Sequence, residues 1–335
     1  MPGHARSTRR MGAAASRVPA APGDTAPEIP RGLKAFLRAV PDHSCDQLMA
    51  VVARRGDYLS RTGSAMSGGY TAIHIAAKAA RTDVLTAFLL HLSGVEYVSN
   101  PTNERSVRSD QGGSPRRPIA VAPSIPLSPL PPHSTDKPNA LSAALNLRSV
   151  AGFTPLMAAA AAGAADCVRV LVTMGCDIRA VDCPGGRTAL HVAAREGHVH
   201  IAEFLLQADR VQRPAATAAA AALRAPPPPQ LVHLRTVCEA LALHYAAAHG
   251  KADAVSLLLR HGSNPTAAMS EGQYDIEYSS PGITALHLAA QRGNLEVARL
   301  ILFHYLASLV TRSTAPMRCP FCRSTVAGFL PATVS

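Results

Sequence analysis

Two cysteines near the end of the sequence, Cys319 and Cys322, form its only C-x-x-C pair. Two thiolates at that spacing can share one zinc ion, but a closed structural site needs four ligands. Four histidines, His74, His191, His244 and His287, invite a similar claim of ligation or acid–base work. They recur at one position of a short phrase, in four of its five copies, so their expected role is structural: hydrogen bonding within or between repeat turns. No Ser-His-Asp, paired-carboxylate, Walker-type or G-x-G-x-x-G arrangement occurs at interpretable spacing. The ordered region is therefore expected to offer no chemistry of its own and to need no cofactor. One modification signal remains. Met11-Gly12-Ala13-Ala14-Ala15-Ser16 matches the N-myristoylation pattern, usable at Gly12 only if translation starts at Met11.

The elements that must carry these residues follow from the phrase itself. Thr71-Ala-Ile-His74-Ile-Ala-Ala77, Thr154-Pro-Leu-Met157-Ala-Ala-Ala160, Thr188-Ala-Leu-His191-Val-Ala-Ala194, Leu241-Ala-Leu-His244-Tyr-Ala-Ala247 and Thr284-Ala-Leu-His287-Leu-Ala-Ala290 are five versions of T-P-L-H-x-A-A, the ankyrin phrase. The leading Thr can cap a helix by accepting an orphan backbone N–H, and Pro155 sits where a missing N–H costs nothing. The Ala pair permits close helix approach. Gly163, Gly197, Gly250 and Gly293 are placed to take positive φ at the helix end. A second helix follows with apolar residues at helical spacing: Val168, Leu171 and Val172; Ile201, Leu205 and Leu206; Val255, Leu258 and Leu259; Val297, Leu300 and Ile301.

Phrase spacings of 83, 34, 53 and 43 residues, against a repeat of about 33, predict insertions in three intervals. The Pro/Ser/Arg-rich stretch in 101–150 and the Ala/Pro-rich stretch 207–236 read as loops or disorder. The fold expected is an all-α-dominated ankyrin-repeat solenoid of helix-turn-helix units with β-finger turns, interrupted by disordered inserts and flanked by disordered termini. Its parts run as a disordered segment 1–30, a degenerate capping repeat plus first full repeat 31–100, the insert 101–150, repeats 151–206, the insert 207–236, repeats 237–311 and a tail 312–335 with the C-x-x-C pair.

Composition agrees. The 335 residues include no Trp and only 4% aromatics, so a deep core of large side chains is unavailable, whereas a solenoid packs each unit only on its neighbours. The net charge of +11 lies on segments 1–31, 101–150, 207–236 and 312–335, which hold 18 Lys/Arg against 6 Asp/Glu and leave 15 against 16 elsewhere. A basic nucleic-acid face on the ordered part is not supported by that distribution. No apolar run long enough to span a membrane lacks charges, and seven scattered Cys without a secretory signal fit a reducing compartment. The expected location is cytoplasmic, with a nuclear or, if Gly12 is acylated, a peripheral membrane location as alternatives.

Three pieces of sequence together resemble the plant ankyrin-repeat RING-type E3 ubiquitin ligases: the Thr154-Pro-Leu-Met repeat followed by Gly185-Gly186-Arg187-Thr188-Ala-Leu-His191, the insert ending Pro281-Gly282-Ile283-Thr284-Ala-Leu-His287, and the tail Cys319-Pro320-Phe321-Cys322-Arg323-Ser324. The resemblance implies that the ankyrin stack chooses a substrate and a RING recruits a ubiquitin-charged E2. It implies that Cys319 and Cys322 are the last zinc pair, Pro320 lies on the E2-facing loop and Arg323 contacts ubiquitin. Six further ligands, and the ankyrin unit expected between about Val310 and Arg318, are missing from this chain, so zinc and E2 are expected only with a completed RING. Without that unit, residues Leu300 to Val310 are expected to keep an apolar face that frays or takes a partner.

The function expected is protein–protein interaction through the repeats, in substrate recruitment for ubiquitination. The alternatives are a non-catalytic ankyrin scaffold or adaptor and, third, a nucleic-acid-binding protein resting on charge alone. Candidate partner contacts are Lys78, Arg81, Arg195, Glu196, His249, Gln291 and Arg292, just after the Ala pairs on the concave side, with Asp182, Arg187, Tyr274 and Tyr278 near the fingers.

Overall fold

The computed structural model describes residues 32–63, 68–94, 140–222, 229–270 and 281–310. Each phrase forms a first helix: α3 (Ala72–Lys78), α6 (Pro155–Ala162), α8 (Ala189–Glu196), α10 (Ala242–Ala248) and α12 (Ala285–Gln291). A second helix returns behind each: α4 (Thr82–Ser93), α7 (Ala165–Thr173), α9 (Val199–Ala222), α11 (Ala252–Arg260) and α13 (Leu295–Val310). The first helices are seven or eight residues long, below the roughly 12 residues at which even a favourable sequence is marginally helical in water. Stacking must therefore hold them. The residues that meet across the stack, Ala76, Ala77, Ala159, Ala160, Ala193, Ala246 and Ala289, are fully buried, because a methyl side chain lets neighbouring backbones approach.

The N-terminal unit lacks the phrase but has the shape. Helices α1 (Leu33–Ala39) and α2 (Cys45–Arg54) are followed by a 3-10 turn over Gly56–Leu59. Ser44 caps α2 by accepting from the Gln47 N–H, and Gln47 accepts in return from the Ser44 N–H. Phe36 fills the joint to the first full repeat, with ring centroids 5.5 Å from Tyr58 and 6.2 Å from Phe88.

The fingers between units are tight hairpins. Asp182 N–H donates to the Arg187 carbonyl and Gly186 N–H to that of Asp182; the same pattern joins Ser149 with Phe153 and Thr236 with Ala240. Fingers bond to one another edge on, through Val150 N–H to Gly68 O and Val237 N–H to Gly185 O, both at 3.2 Å. At Gly152 a Cβ would lie 2.3 Å from the Cys183 nitrogen, so that close approach of two backbones depends on glycine.

Two stretches expected as inserts are partly ordered. Helix α9 does not end near Leu206 but runs to Ala222, into the stretch 207–236; alanine is the strongest helix former, and an established helix continues through it without a new nucleus. Beyond it, Leu231 and Val232 return to the core. In the stretch 101–150, α5 (Ala140–Leu145) buries Leu141, Ala144 and Leu145, and packs against α4. Asp209 closes the base of the second insert, bonding Arg179 and accepting from Leu231 N–H at 3.1 Å, while Arg179 also reaches the Pro229 carbonyl at 3.0 Å.

The turn after each first helix carries the expected glycine in the left-handed region, at φ 75, 83, 67 and 69 degrees for Gly163, Gly197, Gly250 and Gly293. In the first full repeat that place is taken by Ala80, at φ 56 degrees. An L side chain is strained there. Ala80→Gly, at this exposed position, is expected to stabilise the protein by about 1 kcal/mol, seen as a raised urea midpoint; an unchanged or lowered midpoint would show that the turn is not strained.

Candidate partner-binding face

The repeated histidines are structural. The Thr71 N–H and hydroxyl lie 3.3 and 2.7 Å from Nδ1 of His74, which makes Nδ1 an acceptor and leaves the proton on Nε2. Nε2 then donates to the Phe153 carbonyl of the next unit at 2.9 Å. His244 repeats the bridge, accepting from Leu241 N–H at 3.0 Å and donating to the Ala267 carbonyl at 2.9 Å. Leu241 has no hydroxyl, so only the backbone half of the Thr–His cap survives there. His191 accepts from Thr188 N–H at 3.2 Å; its Nε2 faces the Ala240 and Leu234 backbone but meets no acceptor in strict hydrogen-bond geometry among the described residues. All three rings are fully buried, and burial pushes each down to about 4 against the raising influence of nearby backbone groups. Neutral imidazoles sealed between repeats are unsuited to proton transfer with solvent. Among the described residues no group of three or more His, Cys, Asp or Glu could hold a metal ion.

Several residues expected to meet a partner instead hold the fold. Asp182 is buried; its carboxylate accepts from the Arg187 backbone N–H, from Nε at 2.8 Å and from Nη2 at 2.7 Å. The Arg187 guanidinium also lies 5.6 Å from the Phe153 ring centroid. This pair therefore rigidifies the finger from inside. Arg81 is likewise occupied: it donates to the Pro41 and His43 carbonyls at 2.8 and 3.1 Å and pairs with Asp83, tying the N-terminal unit to the first repeat. That pairing, chiefly the hydrogen bond, raises Arg81 and lowers Asp83 from their ordinary pKa values.

The remaining candidates lie along the ends of the first helices. Lys78, His249, Gln291 and Arg292 are exposed, and Arg195 and Glu196 are half-buried and paired at 3.0 Å. Lys78 stands 5.6 Å from the Tyr70 ring centroid. Sequence reading missed Lys251 and Asn294, which follow the turn glycines and fold back over the preceding unit. A Cβ on Gly197 would meet Lys251 Cδ at 2.7 Å, and one on Gly250 would meet Asn294 Oδ1 at 2.9 Å. Asn294 also donates to the Ala247 carbonyl at 3.2 Å. Their position immediately after the glycine was the available signal. Tyr274, Tyr278, Cys319, Pro320, Cys322, Arg323 and Gly12 lie outside the described residues.

At the far end, α13 keeps an open apolar side. Leu295 and Phe303 are 78% and 73% exposed, and a cavity of about 210 Å³ opens between Pro265, Thr266, Thr284, Leu286, Ile301, Leu302 and Tyr305. His287 accepts from Thr284 N–H at 3.2 Å but has no carbonyl of a following unit among the described residues. No described helix is long and apolar enough to cross a membrane.

Comparison with known proteins places this architecture. A relative from Arabidopsis thaliana, named "Putative E3 ubiquitin-protein ligase XBAT31", is 36% identical over 117 residues, 35% of this chain and 24% of its own length. The E3 ubiquitin-protein ligase KEG of the same plant is 29% identical over 163 residues, 47% of this chain and 8% of its own. The human ankyrin repeat domain-containing protein 17 is 45% identical over 60 residues, 18% of this chain and 2% of its own. The chain thus spans about a quarter or less of the length of these relatives. The family model for ankyrin repeats (three copies) matches residues 134–214 and 226–312. That is half of the sequence, and it covers the helix pairs from α6 to α13, with α1 to α4 outside it: the chain belongs to the ankyrin-repeat family, whose stacked units make a protein-binding surface.

Proposed function

We propose that the stack is the substrate-recruiting arm of a RING-type E3 ubiquitin ligase, presenting the row from Lys78 to Arg292 to a protein substrate. The observation that carries this reading is the order of parts: helix pairs similar over part of their length to plant proteins named as ubiquitin ligases, followed by Cys319-Pro320-Phe321-Cys322-Arg323. In this reading Cys319 and Cys322 are the last zinc ligands of a RING, Pro320 faces an E2 and Arg323 meets ubiquitin. The two thiolates do not by themselves fit a structural zinc site, which needs four ligands; the nearest Cys or His before them is His304, on α13. No step is assigned to zinc in this chain.

That shortage favours a second reading, a non-catalytic adaptor that uses the same face. The two are separated by incubating the full chain with E1, a panel of E2 enzymes, ubiquitin and ATP. Ubiquitin chains that form with wild type and vanish with Cys319→Ser establish the ligase; no chains with any E2, together with less than one bound zinc per chain, leave the adaptor. Location in the cytoplasm and membrane attachment through Gly12 belong to the same proposal, the latter tested by mass spectrometry of the mature N-terminus.

A further inference from the structure

Along four successive units the exposed row changes from small to basic. Ala161 and Ala162, at the end of α6, are exposed methyls. The same positions at the end of α8 are Arg195 and Glu196; one unit on, His249 stands beside the turn with Lys251 lying back over Gly197; the next unit supplies Arg292, with Asn294 over Gly250. Glu196 is the carboxylate in this row, and it is already paired with Arg195. Asp253 lies two residues past Lys251, the spacing at which Arg81 and Asp83 pair at 2.8 Å. Among the described residues Lys251 forms no such pair, because its stem is drawn over Gly197 toward α8. Arg195, Arg292 and Lys251 all act on His249 in the same sense, lowering its pKa beyond what burial does, with Glu196 opposing.

We propose that this row takes an extended, acidic segment of a partner protein. The inference rests on the reading of the row as the partner-binding face and adds the chemistry of what it binds. Outside the four basic segments the chain is nearly balanced, with 15 basic and 16 acidic residues, so the positive row is a local feature on a neutral body. Arg292 presents a guanidinium fork and Lys251 a point charge, which suit carboxylates spaced along a strand, while Arg195 is shared with Glu196 and adds to the local positive field. The exposed methyls of Ala161 and Ala162 leave room for main chain to run on past them. A nucleic acid is the poorer match. Its affinity grows with the number of phosphates neutralised and, for single strands, with aromatic stacking, and between Arg195 and Arg292 the row offers three fixed cations, one carboxylate and no Phe, Tyr or Trp.

The test uses the full chain and fluorescence polarisation with a short peptide alternating Glu with Gly and Ser. A matched Lys peptide and a single-stranded oligonucleotide serve as competing probes. The Glu peptide is expected to bind and to weaken as salt is raised. Binding should fall by about tenfold or more in Lys251→Glu/Arg292→Glu, and also in Ala162→Trp, which blocks the row sterically without changing charge; circular dichroism checks that both stay folded. Equal binding of the Glu and Lys peptides, or charge-reversed protein that binds the Glu peptide as wild type does, overturns the inference. Tighter binding of the oligonucleotide, lost on charge reversal, overturns it in favour of a nucleic acid. If cross-linked cellular proteins are lost with Ala162→Trp but kept by the charge reversal, the row is a partner face and its acidic preference is wrong. If neither variant loses them, both readings fall.

Discussion

Lowering the pH from 7 to 5 should strip the stack of several kcal/mol of stability, well before any carboxylate is protonated. His74, His191 and His244 are neutral in the folded protein, held down to about 4 by burial, against 6.5 in an unfolded chain. A group whose pKa is lowered by folding leaves stability intact above 6.5. As pH falls through that value the unfolded chain takes up protons that the folded chain refuses, and the loss continues until about 4. Each imidazole contributes at most about 3 kcal/mol over the window, and three acting together give a limiting slope of about 4 kcal/mol per pH unit. Asp83, with its pKa lowered below the ordinary 3.8, loses its contribution only at still lower pH and does not blur the window. Urea midpoints at pH 8, 7, 6 and 5 should be flat between the first two and fall steeply thereafter. His244→Gln should lower the midpoint at pH 8 and remove about a third of the slope; a flat profile from pH 8 to 5 would mean that the buried imidazoles are reached by solvent.

Asp182→Ala should cost about 3 to 5 kcal/mol, the range for removing one member of a buried ion pair. The loss comes from what is left behind: the Arg187 backbone N–H and two guanidinium nitrogens give up their acceptor inside a finger where water replaces it poorly. Replacing both residues together, Asp182→Leu with Arg187→Met, should recover more than half of that cost. Equilibrium unfolding of the two variants measures this; equal destabilisation by the single and double changes would show that the hydrogen bonds matter less than the shape of the finger. If either residue were a partner contact, the single change would lower binding and spare stability.

The helix pairs were legible because a solenoid writes its fold into local, repeated pattern. The Thr, Leu, His, Ala and Gly of each phrase report their own caps, packing and turns, and the histidines announce a structural role by recurring. What stayed hidden depends on contacts that pattern does not encode. Arg81 looks like an exposed residue after an Ala pair, yet its guanidinium is claimed by Pro41 and His43, about forty residues earlier in an atypical unit. Asp182 and Arg187 are five residues apart and individually unremarkable in a loop; the hairpin brings them face to face. The Ala tract after Leu206 read as low complexity, although the same composition continues a helix once one has begun. Lys251 was passed over because its importance comes from the direction of its side chain, back across Gly197, which only the assembled units define.

The histidine bridges also give the stack a polarity. The two complete bridges, His74 to the Phe153 carbonyl and His244 to the Ala267 carbonyl, each run from one unit's imidazole to a carbonyl supplied by its successor, so in these units the later one satisfies a donor of the earlier. Among the described residues His287 holds such a donor open, beside the uncovered side of α13. In polymer terms the described array has an open end: a designed ankyrin unit appended after α13, with its finger carbonyl in register, would give His287 the acceptor that Phe153 gives His74.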